Sequence, residues 1–268
     1  MASGHEFYTH GHSPPVVRSH AGRTVADSAQ FLVPHLSVGM DLLDFGCGPG
    51  SITADLATIV GPKGNVVGVD SNAEALAVAV VDHTAPNVDY VQASVYQLPF
   101  PDRSFDVAYG HQILQHLADP VTALTEVRRV LRPGGLVAVR DADYGSMIHH
   151  PHYTELGRWL AVYRDVARHN GGEPDAGRRL HDWVASAGFT DITATASAWY
   201  YTTPEQRRRW AELWADRIRI ARFAERAVAV HDGVDVDDLA RAWLRWADEP
   251  SGWFAFLHGE VVARRADQ

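Results

Sequence analysis

The sequence predicts an α/β fold with a seven-stranded, mostly parallel, doubly wound sheet and a helical insertion before the last strand. The first observation is that short apolar strands alternate with single helices from residue 41 to residue 141, a pattern typical of a parallel sheet covered on both faces. The second is the glycine-rich turn DFGCGPG at residues 44–50. Glycine is needed where the backbone adopts positive φ or a ligand lies against it. A turn of this kind at the carboxyl end of a strand predicts a nucleotide site.

Composition restricts the class of protein further. The 268 residues are 46% apolar and 21% charged, as in ordinary globular enzymes, and they contain no apolar run long enough to span a membrane. A net charge of −9 argues against a nucleic-acid partner, because phosphate contacts dominate that affinity. The single cysteine excludes an internal disulfide framework and fits a reducing cytoplasm, which is the location we expect. Nothing here indicates an oligomeric state.

The N-terminal arm, residues 1–23, is expected to be irregular. It carries Tyr8 and His20 among other polar and aromatic residues, and two interpretations are open. The arm closes over the pocket as a lid that excludes water, or it is a disordered terminus. As a lid, it brings Tyr8 to the bound ligand. The spacing of apolar residues then predicts a helix over residues 24–36.

Turn residues delimit the first five strands and their helices. The predicted strands are 41–45, 65–70, 87–93, 105–111 and 135–141, with helices beginning at Gly50, Asn72 and Pro120. The run Pro133-Gly134-Gly135 ends the last of these helices and opens the fifth strand.

The pattern loosens after residue 141. Helices are predicted at 153–169, 180–187, 204 onward and 237–247, and strands at 189–201 and, antiparallel, 253–262. Thr203, Pro204 and Gln206 form a capping-box start for the third of these helices, and Arg207-Arg208-Arg209 is expected to be a solvated helix face. We therefore expect one domain over 24–203 and 251–268, interrupted by a helical cap at 204–250. Five tryptophans follow, for which core packing or a hydrophobic wall over the substrate is expected: Trp210, Trp214, Trp243, Trp246 and Trp253.

Asp44 indicates which nucleotide the turn binds. A dinucleotide puts its pyrophosphate at the helix N-terminus, where a carboxylate would repel it. Ser51 also stands where the dinucleotide fingerprint has glycine or alanine, which argues against an NAD-dependent oxidoreductase. S-adenosylmethionine has no phosphate and carries an ammonium and a sulfonium, which an acid attracts. The turn therefore predicts a site for S-adenosylmethionine, with S-adenosylhomocysteine as its product.

Four motifs in order carry a resemblance to a known family. They are DFGCGPG at residues 44–50, VGVD at 67–70, LPFPDRSFD at 98–106 and LRPGG at 131–135. Residues 41–141 resemble class I S-adenosylmethionine-dependent methyltransferases, and among these the family of the ubiquinone/menaquinone-biosynthesis C-methyltransferases. The resemblance implies a Rossmann-like fold and methyl transfer.

The cofactor residues follow from these motifs. The turn supplies Asp44, Gly46, Cys47, Gly48 and Gly50, with Cys47 expected to be a small packed residue. Asp70 ends the second strand, where an acid accepts hydrogen bonds from the ribose hydroxyls, and Ser71 lies beside it.

The adenine is expected at Ala93, Ser94 and Val95, after the third strand. The family usually has an aspartate where Ser94 stands, and a neutral hydroxyl is a weaker acceptor. We therefore expect apolar packing to hold the adenine.

His111 and Gln112, at the tip of the fourth strand, face the transferred methyl in related folds. His111 is either a general base for an oxygen or nitrogen nucleophile or a cofactor contact, and His20 is a second candidate base. The histidines at 149–152 lack the frame that a zinc site requires, so no metal is expected.

The acceptor is expected to be a small hydrophobic or aromatic metabolite, quinone-like or secondary. Two alternatives remain open. One is methylation of a peptide or protein; the other is a regulatory module that binds the cofactor without catalysis, an interpretation that Ser94 favours.

Overall fold

The computed structural model describes residues 22–267 and contains one seven-stranded sheet in the order β3–β2–β1–β4–β5–β7–β6. The strands are β1 Asp41–Phe45, β2 Asn65–Asp70, β3 Val88–Gln92, β4 Phe105–His111, β5 Leu131–His150, β6 Phe189–Tyr201 and β7 Trp253–Arg265. Strands β1 to β5 pair in parallel, whereas β7 runs antiparallel to both β5 and β6. The predicted fold class is confirmed, including the antiparallel last strand.

Within residues 22–267 the chain also forms nine α-helices and three short 3₁₀ helices. The α-helices are α1 Val25–Ser28, α2 Ser51–Val60, α3 Ala73–Asp82, α4 Pro120–Val130, α5 Thr154–His169, α6 Leu180–Ser186, α7 Pro204–Arg219, α8 Ala221–Val230 and α9 Val236–Ala247. The capping box predicted at the start of α7 is present: Thr203 accepts from the amide of Gln206, and the Gln206 side chain accepts from the amide of Thr203.

The helix predicted over residues 24–36 is much shorter than expected. It ends at Ser28, and a 3₁₀ turn follows at Val33–His35. Ala29, with φ of −132°, leaves the helical region. Pro34 then prevents the α-helix from resuming, because it has no N–H to donate and disfavours helical geometry in Val33.

Alternate residues of the strands enter two separate cores. On one face the sheet packs against α1 and α2, and on the other against α4 and α6. Strand β5 continues past its predicted end at residue 141, through an irregular segment between Asp143 and Ile148, and pairs with β7 as far as His150. The extended part of β5 contributes residues to a third hydrophobic core, which it shares with β7 and several helices.

The third core is aromatic and joins α5 to α7, α8 and α9. Trp159 of α5 meets Trp214 and Trp243 edge to face, with centroids 4.5 and 4.8 Å apart. The core-packing interpretation therefore holds for the buried Trp210, Trp214, Trp243 and Trp246, whereas Trp253 is 37% exposed. Because α5 contributes to this core, the helices that pack together extend beyond the predicted cap at residues 204–250. The boundaries of that cap remain a prediction.

The expected solvated face of α7 is wrong for Arg207, which is 4% exposed. Its guanidinium donates to the backbone carbonyls of Ala247 at 3.3 Å, Glu249 at 2.8 Å and Gly252 at 3.0 Å, and also to that of Thr202. Three of these carbonyls lie at the end of α9 or just after it, where a helix leaves its last carbonyls without intrahelical donors, and the fourth, that of Thr202, lies just before α7. Arg207 thus links α7 to the end of α9 through hydrogen bonds.

Candidate cofactor and acceptor site

The turn between β1 and α2 forms a cradle at the carboxyl edge of the sheet. Gly46, Gly48 and Gly50 all have positive φ, at +75°, +55° and +84°. A Cβ on Gly46 would lie 2.6 Å from Cδ1 of Ile113, so that glycine is required by packing. At Gly48, apart from its chain neighbours Cys47 and Pro49, no described residue has an atom within 4 Å of the Cβ position. The cradle therefore leaves room for a ligand beside Gly48.

Asp70 is held at the rim of this cradle by two backbone amides. Its Oδ2 accepts from the amide of Gly48 at 2.9 Å and its Oδ1 from that of Asn72 at 2.8 Å. A carboxylate has about four lone-pair positions, so both oxygens retain capacity for a ribose diol. The Asn72 side chain caps α3 by accepting from the amide of Ala75 at 2.7 Å.

Asp44 is buried beneath the glycine turn. It is 2% exposed, and Thr53 Oγ1 donates to its Oδ2 at 2.6 Å. Burial raises the pKa of Asp44 to about 7; the Thr53 hydrogen bond opposes the rise and the charge of Asp70 adds to it. The carboxyl group is therefore poised between its neutral and charged forms near neutral pH, and a cation bound nearby would favour the charged form.

Cys47 is buried within the same turn. Burial, together with the charges of Asp44 and Asp70, raises the pKa of its thiol well above the ordinary value. A thiol that resists ionisation is a poor nucleophile. Its environment favours the packed-residue interpretation.

The residues predicted to hold the adenine lie beside Asp70, at the end of β3. The amide of Ala93 donates to the Asp70 carbonyl at 3.1 Å, and Val95 is 7% exposed. Ser94 is exposed, and its Oγ accepts from the amide of Tyr96 at 3.3 Å. Ser71 is also exposed, with its carbonyl accepting from Gln92 Nε2 at 3.1 Å.

The tip of β4 brings His111 and Gln112 to the same edge. His111 is 6% exposed, and its ring stacks in parallel with that of Tyr109 at 6.4 Å. Gln112 adopts φ of +52°, and its amide donates to the Arg140 carbonyl at 2.7 Å. Positive φ in a residue other than glycine is a strain that persists chiefly at functional sites.

A chain of side-chain hydrogen bonds leads from Gln112 to His258 of β7. Arg23 Nη2 donates to Gln112 Oε1 at 2.6 Å, which fixes the orientation of the amide. Gln112 Nε2 must then donate to His258 Nε2, 2.8 Å away. Burial, with the charges of Arg140 and Arg23, lowers the pKa of His258 well below its ordinary value. His258 is thus neutral and carries its proton on Nδ1.

Arg140 lies on β5 beside this chain and is 1% exposed. Its Nε donates to Glu260 Oε1 at 3.1 Å, and its Nη2 to Ser197 Oγ at 3.2 Å. The guanidinium carbon sits 4.9 Å from the centroid of Trp199. Desolvation lowers the pKa of Arg140 below its ordinary value.

Sequence reasoning missed Arg140, His258, Glu260 and Trp199 as site residues. A signal was available for Arg140, His258 and Glu260, because charged and polar residues inside apolar strands are uncommon unless they are paired or functional, whereas nothing in the sequence of β6 singles out Trp199. Of the predicted site residues, those from Asp44 to Gln112 gather at one edge of the sheet. Tyr8 and His20 lie outside the described residues.

Residues 22–267 contain neither a metal-binding cluster nor a helix that could span a membrane. No group of three or more His, Cys, Asp or Glu side chains is placed to hold a metal ion. No helix in this part of the chain combines the length and apolarity needed to cross a membrane.

The order β3–β2–β1–β4–β5–β7–β6, with a glycine turn after β1 and an acid after β2, defines a nucleotide-binding α/β enzyme of the doubly wound class. Comparison with known proteins identifies the family within this class. The family model described as a methyltransferase domain matches residues 43–139. An uncharacterized methyltransferase of Schizosaccharomyces pombe is 31% identical over 97% of both chains. The protein belongs to the class I S-adenosylmethionine-dependent methyltransferases.

Two further relatives and one solved structure agree with this assignment. Demethylmenaquinone methyltransferase of Lactococcus lactis is 35% identical over 58% of this chain and 67% of its own. A ubiquinone/menaquinone biosynthesis C-methyltransferase of Hahella chejuensis is 43% identical over 38% of this chain and 42% of its own. The YcgJ protein of Bacillus subtilis shares the fold, with a TM-score of 0.60 and 16% identity over 91% of this chain and all of its own.

The cofactor of this enzyme is S-adenosylmethionine, which supplies an electrophilic methyl group on sulfur. The residues present fit it. The open space at Gly48 lets a ligand lie against the backbone. The carboxylate of Asp70 accepts hydrogen bonds from two backbone amides and, among the described residues, forms no salt bridge with a side chain.

Proposed function

We propose that the enzyme methylates a small hydrophobic or aromatic metabolite, either quinone-like or a secondary metabolite. The observation that carries the proposal is the half-buried indole of Trp199, which lies beside the tip of β4, with its centroid 6.1 Å from that of His111. Apolar pockets with a few polar groups are typical of small-molecule sites.

Relatives of stated activity support the same class of acceptor. They include the demethylmenaquinone methyltransferase and a 2-phytyl-1,4-naphtoquinone methyltransferase of Synechocystis, 39% identical over 40% of this chain. Their names concern those proteins, and the match is partial. An extension to this chain is therefore a proposal.

In the proposed reaction the protein acts chiefly by positioning. Asp70 accepts from the ribose, the turn at Gly48 lets the cofactor lie against backbone, and Asp44 provides a negative charge below it. In-line displacement on a methyl group depends strongly on the alignment of the two reactants. The His111 ring is buried at the end of β4 and packs against the rings of Tyr109 and Trp199, with centroids 6.4 and 6.1 Å apart. We therefore favour a contact role for His111.

The test is incubation of the protein with isotopically labelled S-adenosylmethionine and a metabolite extract, followed by mass spectrometry. We expect label in a small apolar or aromatic product, and at least several-fold less label with an Asp70→Ala control at limiting cofactor. Label in the protein fraction would support the peptide alternative. Tight binding of S-adenosylhomocysteine without any labelled product would support the non-catalytic module.

A further inference from the structure

We propose that the methyl acceptor carries an anionic oxygen, and that Arg140 and His258 bind this oxygen beside the ring of Trp199. The inference rests on the proposed function, because it names a chemical feature of the acceptor at the same site. It concerns recognition and assigns no role in the transfer step itself.

Two buried N–H donors at this position lack an acceptor within the part of the chain that the structure describes. Within residues 22–267 no group accepts from Nη1 of Arg140, although Nε and Nη2 are both engaged. In the same part of the chain no group accepts from Nδ1 of His258, which bears the proton because Nε2 accepts from Gln112. Arg140 is 1% and His258 0% exposed.

Both donors converge on one aromatic ring. Arg140 pairs with Glu260 in the sheet register, and His258 lies two residues from Glu260 on β7. The side chains of all three residues therefore project from the same face of the sheet. Trp199 of β6 contacts both donors, with its centroid 4.3 Å from that of His258 and 4.9 Å from the Arg140 guanidinium carbon. His111, at the cofactor edge, is the register neighbour of Arg140 on the other side. The donors therefore lie where an acceptor would meet the cofactor.

The chemistry of the two donors selects the ligand. A buried donor without an acceptor is unfavourable, and a donor pair formed by a guanidinium and a neutral imidazole N–H is best satisfied by an oxyanion. Glu260 does not serve this purpose: its carboxylate accepts from Arg140 Nε, Ser197 and Thr195, but neither Arg140 Nη1 nor His258 Nδ1 donates to it. Two sources supply an anionic oxygen on a small metabolite: a carboxylate, and an ionised phenol or enol.

Formate is the probe, because it presents a carboxylate without depending on the acceptor's scaffold. We would titrate the S-adenosylhomocysteine-loaded protein with sodium formate, replacing sodium chloride at constant ionic strength, and follow the His258 imidazole signals by NMR. A ligand of three heavy atoms is expected to bind with a dissociation constant of about 1 mM or weaker. We expect a saturable shift and a nuclear Overhauser effect between the formate proton and the rings of His258 or Trp199.

Two variants sharpen the test. His258→Phe keeps a ring against Trp199 but removes the donor, and it should weaken formate binding by at least about tenfold. His152→Phe is the matched control, because His152 is exposed and its ring stacks on that of His149; binding should be unchanged. Absence of saturation or of the Overhauser effect in the unmodified protein would overturn the proposal even if His258→Phe fails to fold. So would equal binding by His258→Phe.

Competition separates the two sources of the oxyanion. Displacement of formate by benzoate indicates a carboxylate, and displacement by 4-nitrophenolate indicates a phenolate. Displacement by neither would contradict a pocket open to an aromatic acceptor. If S-adenosylhomocysteine binds and formate does not, only this inference fails, whereas failure to bind S-adenosylhomocysteine removes the proposed function whatever formate does.

Discussion

Replacing Asp44 by Asn should stabilise the cofactor-free protein at alkaline pH and weaken cofactor binding. Asp44 is fully buried, and its pKa is raised from 3.8 to about 7, chiefly by burial. The native state therefore holds this proton more tightly than the unfolded state. As a result, the unmodified protein loses stability as pH rises from about 4 to about 7, and the loss is complete above that range. Asn is isosteric with the protonated acid and has no such dependence.

The magnitude follows from the shift. A shift of about 3 pKa units corresponds to about 4 kcal/mol once the group is ionised in both states, at about 1.4 kcal/mol for each unit. At about pH 5 only about 1.6 kcal/mol of this has accumulated, because the native group is still protonated there. The difference in unfolding free energy between Asp44→Asn and the unmodified protein should thus grow by about 2.5 kcal/mol between about pH 5 and about pH 8. Constant effects of the amide cancel in this comparison.

Urea denaturation at pH about 5 and about 8 measures the difference in unfolding free energy between the two proteins. Titration calorimetry with S-adenosylhomocysteine at the higher pH measures the affinity for the cofactor product. We expect Asp44→Asn to weaken that binding by at least about tenfold, or about 1.4 kcal/mol, through loss of the charge. Asp141→Asn is the matched control. Asp141 is also buried, with its pKa raised by burial to about 8, but it accepts from the backbone of Leu114 and Gln115 on the opposite face of the sheet. It should show the pH-dependent gain without loss of cofactor affinity.

A stability difference that does not change with pH would refute the raised pKa of Asp44. Equal cofactor binding by Asp44→Asn and Asp141→Asn would refute the electrostatic role assigned to Asp44, whatever the stability data show.

Three further predictions concern other residues. Asp70→Ala should lower the affinity for S-adenosylmethionine by at least several-fold in calorimetry, and unchanged affinity would remove Asp70 from the site. Arg207→Leu should lower the unfolding free energy by about 3 kcal/mol, because the carbonyls of Thr202, Ala247, Glu249 and Gly252 all lose a buried charged donor. The control Arg208→Leu removes an exposed, solvent-screened ion pair with Asp248 and should lower the unfolding free energy far less; equal losses for the two variants would contradict the role assigned to Arg207. Deleting residues 1–20 should lower turnover if the arm is a lid, and intact turnover and cofactor affinity would exclude that.

The sequence carried the information for the parallel half of the sheet and for the cofactor edge. Each of the first four strands is a short apolar run closed by turn residues, and the glycines and Asp70 lie at strand ends. Patterns that are local in sequence predict elements of this kind well. The capping box at Thr203 is local too, and it was found for the same reason.

What the sequence did not reveal depends on pairing between distant segments. Strand β5 extends to His150 because β7 supplies its partners, although its apolar pattern ends near residue 141. Arg207 is buried because α9 ends against it, and nothing in the spacing of α7 shows that. The convergence of Arg140 and His258 on Trp199 likewise joins three strands, so only the charged and polar residues within the apolar strands β5 and β7 could have suggested it.

The most direct test of the cofactor site is a crystal structure of the complex with S-adenosylhomocysteine. We predict the ribose diol on the carboxylate of Asp70, the chain of the ligand against Gly48, and the ammonium on the side of the turn that overlies Asp44. A ligand whose ribose makes no contact with Asp70, or whose carboxylate lies next to Asp44 in place of the ammonium, would contradict the account.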